Sequence, residues 1–265
     1  MKKYGKGDYL GVNISQFNVP EILVSKTAYA KDFSSDWHCH SNPCMAFILN
    51  GGSIEERSSG SITCVSGSCF FYSTEEPHRN LHYQENSLNF NIELDNDFFL
   101  TAGLDLNKIG GLFSLKETPS KFIVLKIIKE TRINDIHSSE TIKSLLLQLF
   151  DSLINKPSEK KKGKWASQLE DFLNDDCSAF QSLQQLSTLL NVHPVTISRY
   201  FPTYFNCTLG EYIRNTKVQK SLSLIRSRSS SLTNIALTCG FSDQSHFIRT
   251  FKASTGMLPR EFRML

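Results

Sequence analysis

The chain repeats itself once, and that repeat restricts its second half to very few folds. Ser182-Leu-Gln-Gln-Leu-Ser-Thr-Leu-Leu-Asn-Val192 corresponds to Ser231-Leu-Thr-Asn-Ile-Ala-Leu-Thr-Cys-Gly-Phe241, an offset of 49 to 50 residues along the chain. Leu183, Leu186, Ser187 and Leu190 match Leu232, Ile235, Ala236 and Cys239. Both sets fall at i, i+3, i+4 and i+7, the period of one helix face. Each copy then reaches a residue that tolerates a left-handed backbone, Asn191 or Gly240, followed by an apolar plug, Val192 or Phe241. A second short helix follows, with the i, i+4 apolar pair Ile197 and Phe201 or Phe247 and Phe251. The register continues through Asn206 with Gly256 and Tyr212 with Phe262.

In the second helix of each copy, positions away from the apolar pair point outward: Val195, Ser198 and Arg199, or Ser245, His246 and Arg249. Helix, tight turn, helix is the unit whose second member fits the major groove of duplex DNA, with polar side chains and arginine on its free face. Residues 210–226 read as one connecting helix, with Tyr212, Ile213, Leu222 and Ile225 apolar and Arg214, Lys217, Lys220 and Arg226 basic. About 17 residues at about 1.5 Å each span about 26 Å. With the width of the units added, two recognition helices reach successive grooves about 34 Å apart. The charge pattern agrees: residues 1–155 hold 14 basic against 18 acidic residues, whereas from Gln181 onward the count is 10 against 3. An all-α interaction module is the competing reading of the repeat.

The second copy, with Ile235-Ala236, Gly240-Phe241-Ser242-Asp243-Gln244-Ser245-His246-Phe247, Arg249, Phe251-Lys252 and Gly256-x-x-Pro259-x-x-Phe262-Arg263, closely resembles the signature of the AraC/XylS family of transcription regulators. The resemblance is strong over residues 170–265 and looser before them. It implies that Val195, Ser198 and Arg199, and Gln244, Ser245, His246, Arg249 and Lys252, contact double-stranded DNA. Arg199 and Arg249 lead that set, because guanidinium makes bidentate bonds to guanine or clamps phosphate. Lys217 and Arg214 are secondary candidates, as phosphate contacts or as structural partners. One departure stands out: Pro202 follows Phe201 where the family usually has a basic residue. Proline removes a helix hydrogen bond and crowds the preceding turn, so the first recognition helix is predicted to end early or kink there.

The front half has a different texture. Between residues 20 and 95, short alternating or β-branched segments such as Ala46-Phe-Ile-Leu, Ser61-Ile-Thr-Cys-Val, Cys69-Phe-Phe-Tyr and Leu88-Asn-Phe-Asn-Ile-Glu-Leu are broken by turn signals, the pattern of a sandwich or barrel. Two helices are predicted after it, at about 120–133 and 139–155. The second carries a wide apolar stripe (Ile142, Leu145, Leu146, Leu149, Phe150, Leu153, Ile154), which reads either as plain core or as a dimer seam. Trp37-His38-Cys-His40 and Gly67 through Pro77-His78 are similar to the paired motifs of the cupin barrel, a common sensor fold among these regulators. Where metal-binding cupins place a glutamate, this chain has Cys44 and Met45. His38, His40, Cys44 and His78 are therefore either polar residues at the mouth of a small-molecule pocket, the preferred reading, or ligands of zinc or another borderline metal.

The expected fold class is thus two domains. Residues 1–155 form a cupin-like β-barrel with following helices, serving as sensor and dimerisation domain. Lys156-Pro-Ser-Glu-Lys-Lys-Lys-Gly-Lys164 is a linker, and residues 165–265 are an all-α domain with helix-turn-helix units at about 182–205 and 231–254 joined by a linker helix. The expected function is sequence-specific DNA binding under control of a small-molecule effector. The expected partners are DNA, RNA polymerase and a second copy of the chain. No cofactor is required by this reading, and the chain is not expected to be an enzyme; a metal-dependent cupin enzyme with a helical tail is the alternative from another class. A nonspecific nucleic-acid binder and a redox sensor using Cys39 and Cys44 are further alternatives. Seven cysteines, none in a Cys-x-x-Cys pair, suggest reduced thiols, and the lack of an 18-residue apolar run or an apolar leader suggests the cytoplasm, with no membrane partner.

Overall fold

The computed structural model describes residues 1–105, 113–114, 118–154, 164–176, 183–205 and 207–265. The chain divides into two compact units, residues 1–154 with Leu265 and residues 155–264. The lysine-rich stretch expected to act as a linker lies, apart from Lys164, outside the described residues, as do Ser182 and Asn206 of the repeat. No helix among the described residues is long and apolar enough to cross a membrane.

The first unit contains β1 (Lys2–Tyr4), β2 (Val12–Val19), β3 (Ile22–Tyr29), β4 (His38–His40), β5 (Cys44–Asn50), β6 (Gly52–Arg57), β7 (Gly60–Val65), β8 (Cys69–Tyr72), β9 (His78–Leu81), β10 (Ser87–Leu94) and β11 (Phe113–Ser114). These make two sheets, ordered β1-β4-β9-β6-β7 and β11-β8-β5-β10-β3-β2. Three helices accompany them: α1 (Asn96–Ala102), α2 (Thr118–Ile133) and α3 (Ser138–Ile154). Two predicted helices are therefore present close to their expected bounds. The short α1 and the strands β1 and β2, which precede the apolar segments, add to that reading.

Register explains why β5 is buried on both faces. Cys44, Ala46 and Ile48 point between the sheets, where they meet Cys64 of β7 and Phe70 and Tyr72 of β8. Met45 and Phe47 lie opposite Phe71 and Cys69 on β8 and opposite Ile92 and Phe90 on β10, so they share the other face. That outer face meets the helices: Phe71 packs edge-on against Phe150 of α3 at 6.0 Å, and Phe98 and Phe99 of α1 complete the cluster. Ile142, Leu146, Leu149 and Phe150 of α3 are buried within the single chain. Those four residues of the stripe serve as core of their own unit, while Leu147 is exposed and Leu145 and Ile154 are half-buried.

The second unit is helical: α4 (Lys164–Asp176), α5 (Leu183–Leu190), α6 (Pro194–Phe205), α7 (Leu209–Ser227), α8 (Leu232–Thr238), α9 (Gln244–Thr255) and α10 (Pro259–Arg263). The two copies of the repeat are α5–α6 and α8–α9. Asn191 and Gly240 adopt φ of 51° and 77°, the left-handed conformation that the sequence requires. The plugs close both turns identically: the Val192 N–H donates to the Ser187 carbonyl at 3.1 Å and the Phe241 N–H to the Ala236 carbonyl at 2.9 Å. Leu169, Leu186, Leu190, Ile197 and Phe201 form the first core. In the second copy Ile235, Phe247 and Phe251 are buried, as are Val218 and Leu222 of α7.

Pro202 does not end α6, which continues to Phe205. Pro202 and Ser198, whose carbonyl loses its usual i+4 partner, are both exposed, so water can satisfy that carbonyl. Helix α7 is started by a capping box. The Thr208 hydroxyl accepts from the Glu211 N–H at 3.2 Å and the Glu211 carboxylate accepts from the Thr208 N–H at 3.0 Å. Thr208→Ala is expected to cost about 1 kcal/mol, seen as a lower urea midpoint for the loss of helical ellipticity; an unchanged midpoint would show that packing alone sets the start of α7.

Candidate nucleic-acid interface and interior polar site

The outward face of α6 includes Val195, Ser198 and Arg199, all exposed, with Val195 63% exposed and the Arg199 guanidinium 5.8 Å from the ring of exposed Tyr200. An aliphatic side chain left this open on a polar helix face suits contact with a thymine methyl. On α9, Ser245, Arg249 and Lys252 are exposed, whereas Gln244 and His246 are half-buried. Their surroundings explain the difference. Gln244 accepts a 2.6 Å hydrogen bond from the Thr233 hydroxyl, tying α9 to α8. His246 lies 3.1 Å from the Ser242 hydroxyl and edge-on to Phe241 at 5.4 Å. Asp243 caps α9 by accepting from the His246 N–H at 2.7 Å, and that bond holds its carboxyl below the usual range. Neither Arg199 nor Arg249 is ion-paired among the described residues.

Lys217 has a structural task. Its ammonium donates to the Gly240 carbonyl at 2.5 Å and lies 5.8 Å from the Phe241 ring, fastening α7 to the turn of the second copy. Arg226 and Arg263 also serve carbonyls: Arg226 donates to Arg263, and Arg263 to Ile225 and Ser230. Arg214 remains exposed on α7.

Beside the apolar cluster, the interior of the first unit holds buried polar and charged groups, and the sequence hides this. On β6, Ser53, Glu55 and Arg57 point inward while Ile54 is 38% exposed. On β10, Asn89, Asn91 and Glu93 lie opposite Ile48, Ala46 and Cys44 and so share their inward face, leaving Phe90, Ile92 and Leu94 to the helix layer. Alternation identifies a strand without telling which face is inside. Glu55 and Arg57 are almost wholly enclosed: Arg57 binds Glu55 at 2.5 Å, Glu76 at 2.6 Å and the Phe71 carbonyl at 3.2 Å, and lies 4.4 Å from the centre of the Tyr72 ring. Tyr72 donates its hydroxyl to Glu55. Glu93 accepts from the Gly7 N–H at 2.8 Å, from Tyr9 at 3.1 Å and from Asn42 at 3.2 Å, and burial raises its carboxyl above the usual range.

A cavity opens among these groups, lined on one side by His38, His40, His78 and Asn80 and on the other by Tyr29, Cys44, Asn89 and Asn91. The three histidines converge by strand geometry. His38 and His40 alternate onto one face of β4, and His38 lies directly opposite His78 on β9. The His38 and His78 ring centres are 4.4 Å apart, and each is about 5.5 Å from His40 (5.5 and 5.4 Å). Burial, followed by the neighbouring histidine, brings His40 down to about 4 and His78 to about 3, so both are neutral near pH 7; burial lowers His38 as well.

Cys44 does not join the group of candidate ligands, which among the described residues comprises His38, His40 and His78. After His40 the chain crosses to the other sheet, and Cys44 lies on β5. Burial pushes its thiol far above the usual range and Cys39 is also buried, which disfavours the redox-sensor alternative. Glu55, Arg57, Asn89, Asn91 and Glu93 were not singled out from sequence. The one available signal was charge and amide alternating with apolar residues inside a strand.

Two helix-turn-helix units braced by one central helix make the second unit a double helix-turn-helix domain. Residues 186–264 match the family described as "Helix-turn-helix domain". The chain is 28% identical over 141 residues to the HTH-type transcriptional activator RhaR of Mannheimia succiniciproducens, covering 51% of this chain and 49% of that protein. It is 36% identical over 67 residues to the probable transcription factor PqrA of Proteus vulgaris, covering 25% and 55%. It is 26% identical over 148 residues to the activator RhaS of Escherichia coli, covering 53% and 52%. The chain thus spans about half the length of the curated relatives it matches. Among solved structures, ToxT from Vibrio cholerae O395 aligns over 92% of this chain and 97% of its own at 14% identity, with a TM-score of 0.40.

Proposed function

We propose that the chain is a sequence-specific DNA-binding transcription regulator that responds to a small-molecule effector in the cavity of its first unit. The observation that carries the reading is the pair of helices α6 and α9, each presenting an exposed arginine that makes no ion pair among the described residues. The named regulators among its relatives support it. DNA enters along α6 and α9, with Val195, Ser198 and Arg199, and Ser245 and Arg249, reading bases. Lys252 and Arg214 take phosphates, and Gln244 and His246 contribute from the turn that they also stabilise. A cavity that sets amides, tyrosines, imidazoles and a carboxylate beside Leu10, Ala46 and Ile48 suits a small molecule with both polar and apolar groups. Such an effector acts by binding one arrangement of the protein better than another. RNA polymerase as a partner follows from the activators among the relatives, and a second copy of the chain from the usual symmetry of operators. No observation favours the enzyme alternative. A cytoplasmic site of action follows from the same reading.

Selection of bound duplexes from a random DNA pool by the full-length protein is expected to enrich two short blocks spaced by about one helical turn. Arg249→Ala and Arg199→Ala are each expected to cost about 1–3 kcal/mol of affinity for the selected site. Lys252→Ala is expected to weaken all duplexes alike and to reduce the salt slope by about one. An unenriched pool with binding that vanishes as salt rises would replace specific recognition by nonspecific attraction to DNA.

A further inference from the structure

We infer that α6 selects the methyl group of a thymine through Val195, so that the two copies of the repeat read their blocks of DNA by different chemistry. The inference rests on the DNA-binding reading above and adds to it the base that α6 prefers. The repeat supplies its own control, because α6 and α9 are equivalent helices. Their inward pairs, Ile197 with Phe201 and Phe247 with Phe251, are all buried and fix the same register against each core. In that register Val195 stands where α9 has Ser245, Arg199 where it has Arg249, and Pro202 where it has Lys252. All six residues are exposed.

The guanidinium is common to both helices, and its surroundings are exchanged. α9 flanks Arg249 with a hydroxyl and an ammonium, whereas α6 flanks Arg199 with two aliphatic side chains. Positions 195, 199 and 202 lie at i, i+4 and i+7, one stripe of a helix. Val195 is the second residue of α6, and the first turns of a recognition helix are those that meet base edges. It is also surplus to the core, being 63% exposed where Ile197 and Phe201 are buried. On the floor of the major groove the thymine methyl is the one apolar group. Against any other base an isopropyl group strips water from a donor or acceptor and offers no partner in return. Valine here therefore favours thymine both by contact and by penalising the alternatives. Pro202 sharpens the contrast, because α6 holds one cation, Arg199, and no carboxylate. With fewer charges to offer phosphate than α9, it depends more on contact with the bases.

The test uses the full-length protein and the duplex enriched by selection. Repeating the selection with Arg199→Ala assigns to α6 the block whose preference disappears. That block is expected to hold a thymine at a fixed position. Exchanging this thymidine for deoxyuridine deletes only the methyl group and is expected to lower affinity about fourfold, the worth of one buried methyl. The same exchange in the α9 block is expected to leave affinity unchanged. In Val195→Ser the α6-block exchange is expected to lose its effect, because the partner of the methyl is gone. Should that variant fail to fold, the deoxyuridine duplexes with the unaltered protein decide. An α6 block without a fixed thymine, affinity indifferent to the missing methyl, or a deoxyuridine effect that persists in folded Val195→Ser would each overturn the inference and leave DNA recognition standing. A pool without enrichment would overturn the DNA reading and this inference with it.

Discussion

Arg57→Ala is expected to destabilise the first unit by about 3–5 kcal/mol, the range for removing one partner of a buried ion pair. The Arg57 side chain is 2% exposed and that of Glu55 is fully enclosed. Removing the guanidinium leaves Glu55 without its counter-charge and Glu76 without one of its bonds, and it frees the Phe71 carbonyl. The lost interaction is only part of the penalty, since a carboxylate must also stay ionised away from water or capture a proton. Two variants separate these effects. Arg57→Ala alone shows the full loss, and adding Glu55→Gln, which removes the stranded charge, recovers part of it. Trp37 lies in the first unit and Trp165 in the second, so urea denaturation followed by fluorescence in a Trp165→Phe background reports the relevant transition. A loss below about 1 kcal/mol, the size of an exposed pair, would mean that water reaches the pair.

Phe251→Ala is expected to cost the second unit about 3–5 kcal/mol. Phe251 is fully buried, 5.7 Å from the Phe247 ring and 5.8 Å from the Phe262 ring. Its ring therefore joins α9 to α10. Truncation leaves a cavity between rigid aromatic walls that cannot collapse to fill it. Because α7 packs against both copies of the repeat, the first copy should lose stability together with the second. Trp165 packs against Tyr204 of α6 at 5.8 Å and reports on that first copy. In a Trp37→Phe background, a fall in the Trp165 midpoint that matches the fall in helical ellipticity would establish that coupling. An unchanged Trp165 midpoint would show two independently melting halves.

The second unit was the more legible from sequence, for physical reasons. Helix periodicity, a left-handed residue and an apolar plug are local signals, and Asn191 and Gly240 carry them in register with Val192 and Phe241. The sequence could not show that Lys217 and Gln244 are engaged within the domain, since a basic or amide side chain reads the same whether it meets phosphate or a carbonyl. Pro202 does not end α6, because a proline on the solvent side of the last turns leaves a carbonyl that water can satisfy. In the first unit the strands were legible where apolar residues concentrate, and β2, an edge strand with Val12 and Ile14 exposed, was not. The inward direction of Glu55, Asn89 and Glu93 depends on pairing partners dozens of residues away. Grouping Cys44 with the histidines failed for the same reason, since chain proximity did not survive the crossing between sheets.

The two faces of β10 point to a division of labour. Phe90, Ile92 and Leu94 face the helix layer and carry the hydrophobic contribution to stability, so the opposite face is released from that duty. Asn89 can therefore be exchanged for another polar side chain of similar volume with little effect on whether the unit folds, whereas Asn91 is tied to Thr27 and Glu93 to Gly7, Tyr9 and Asn42. A scaffold built in this way keeps its framework fixed while the lining of its cavity varies, and substitutions in α1 and α3 should move stability while leaving that lining untouched.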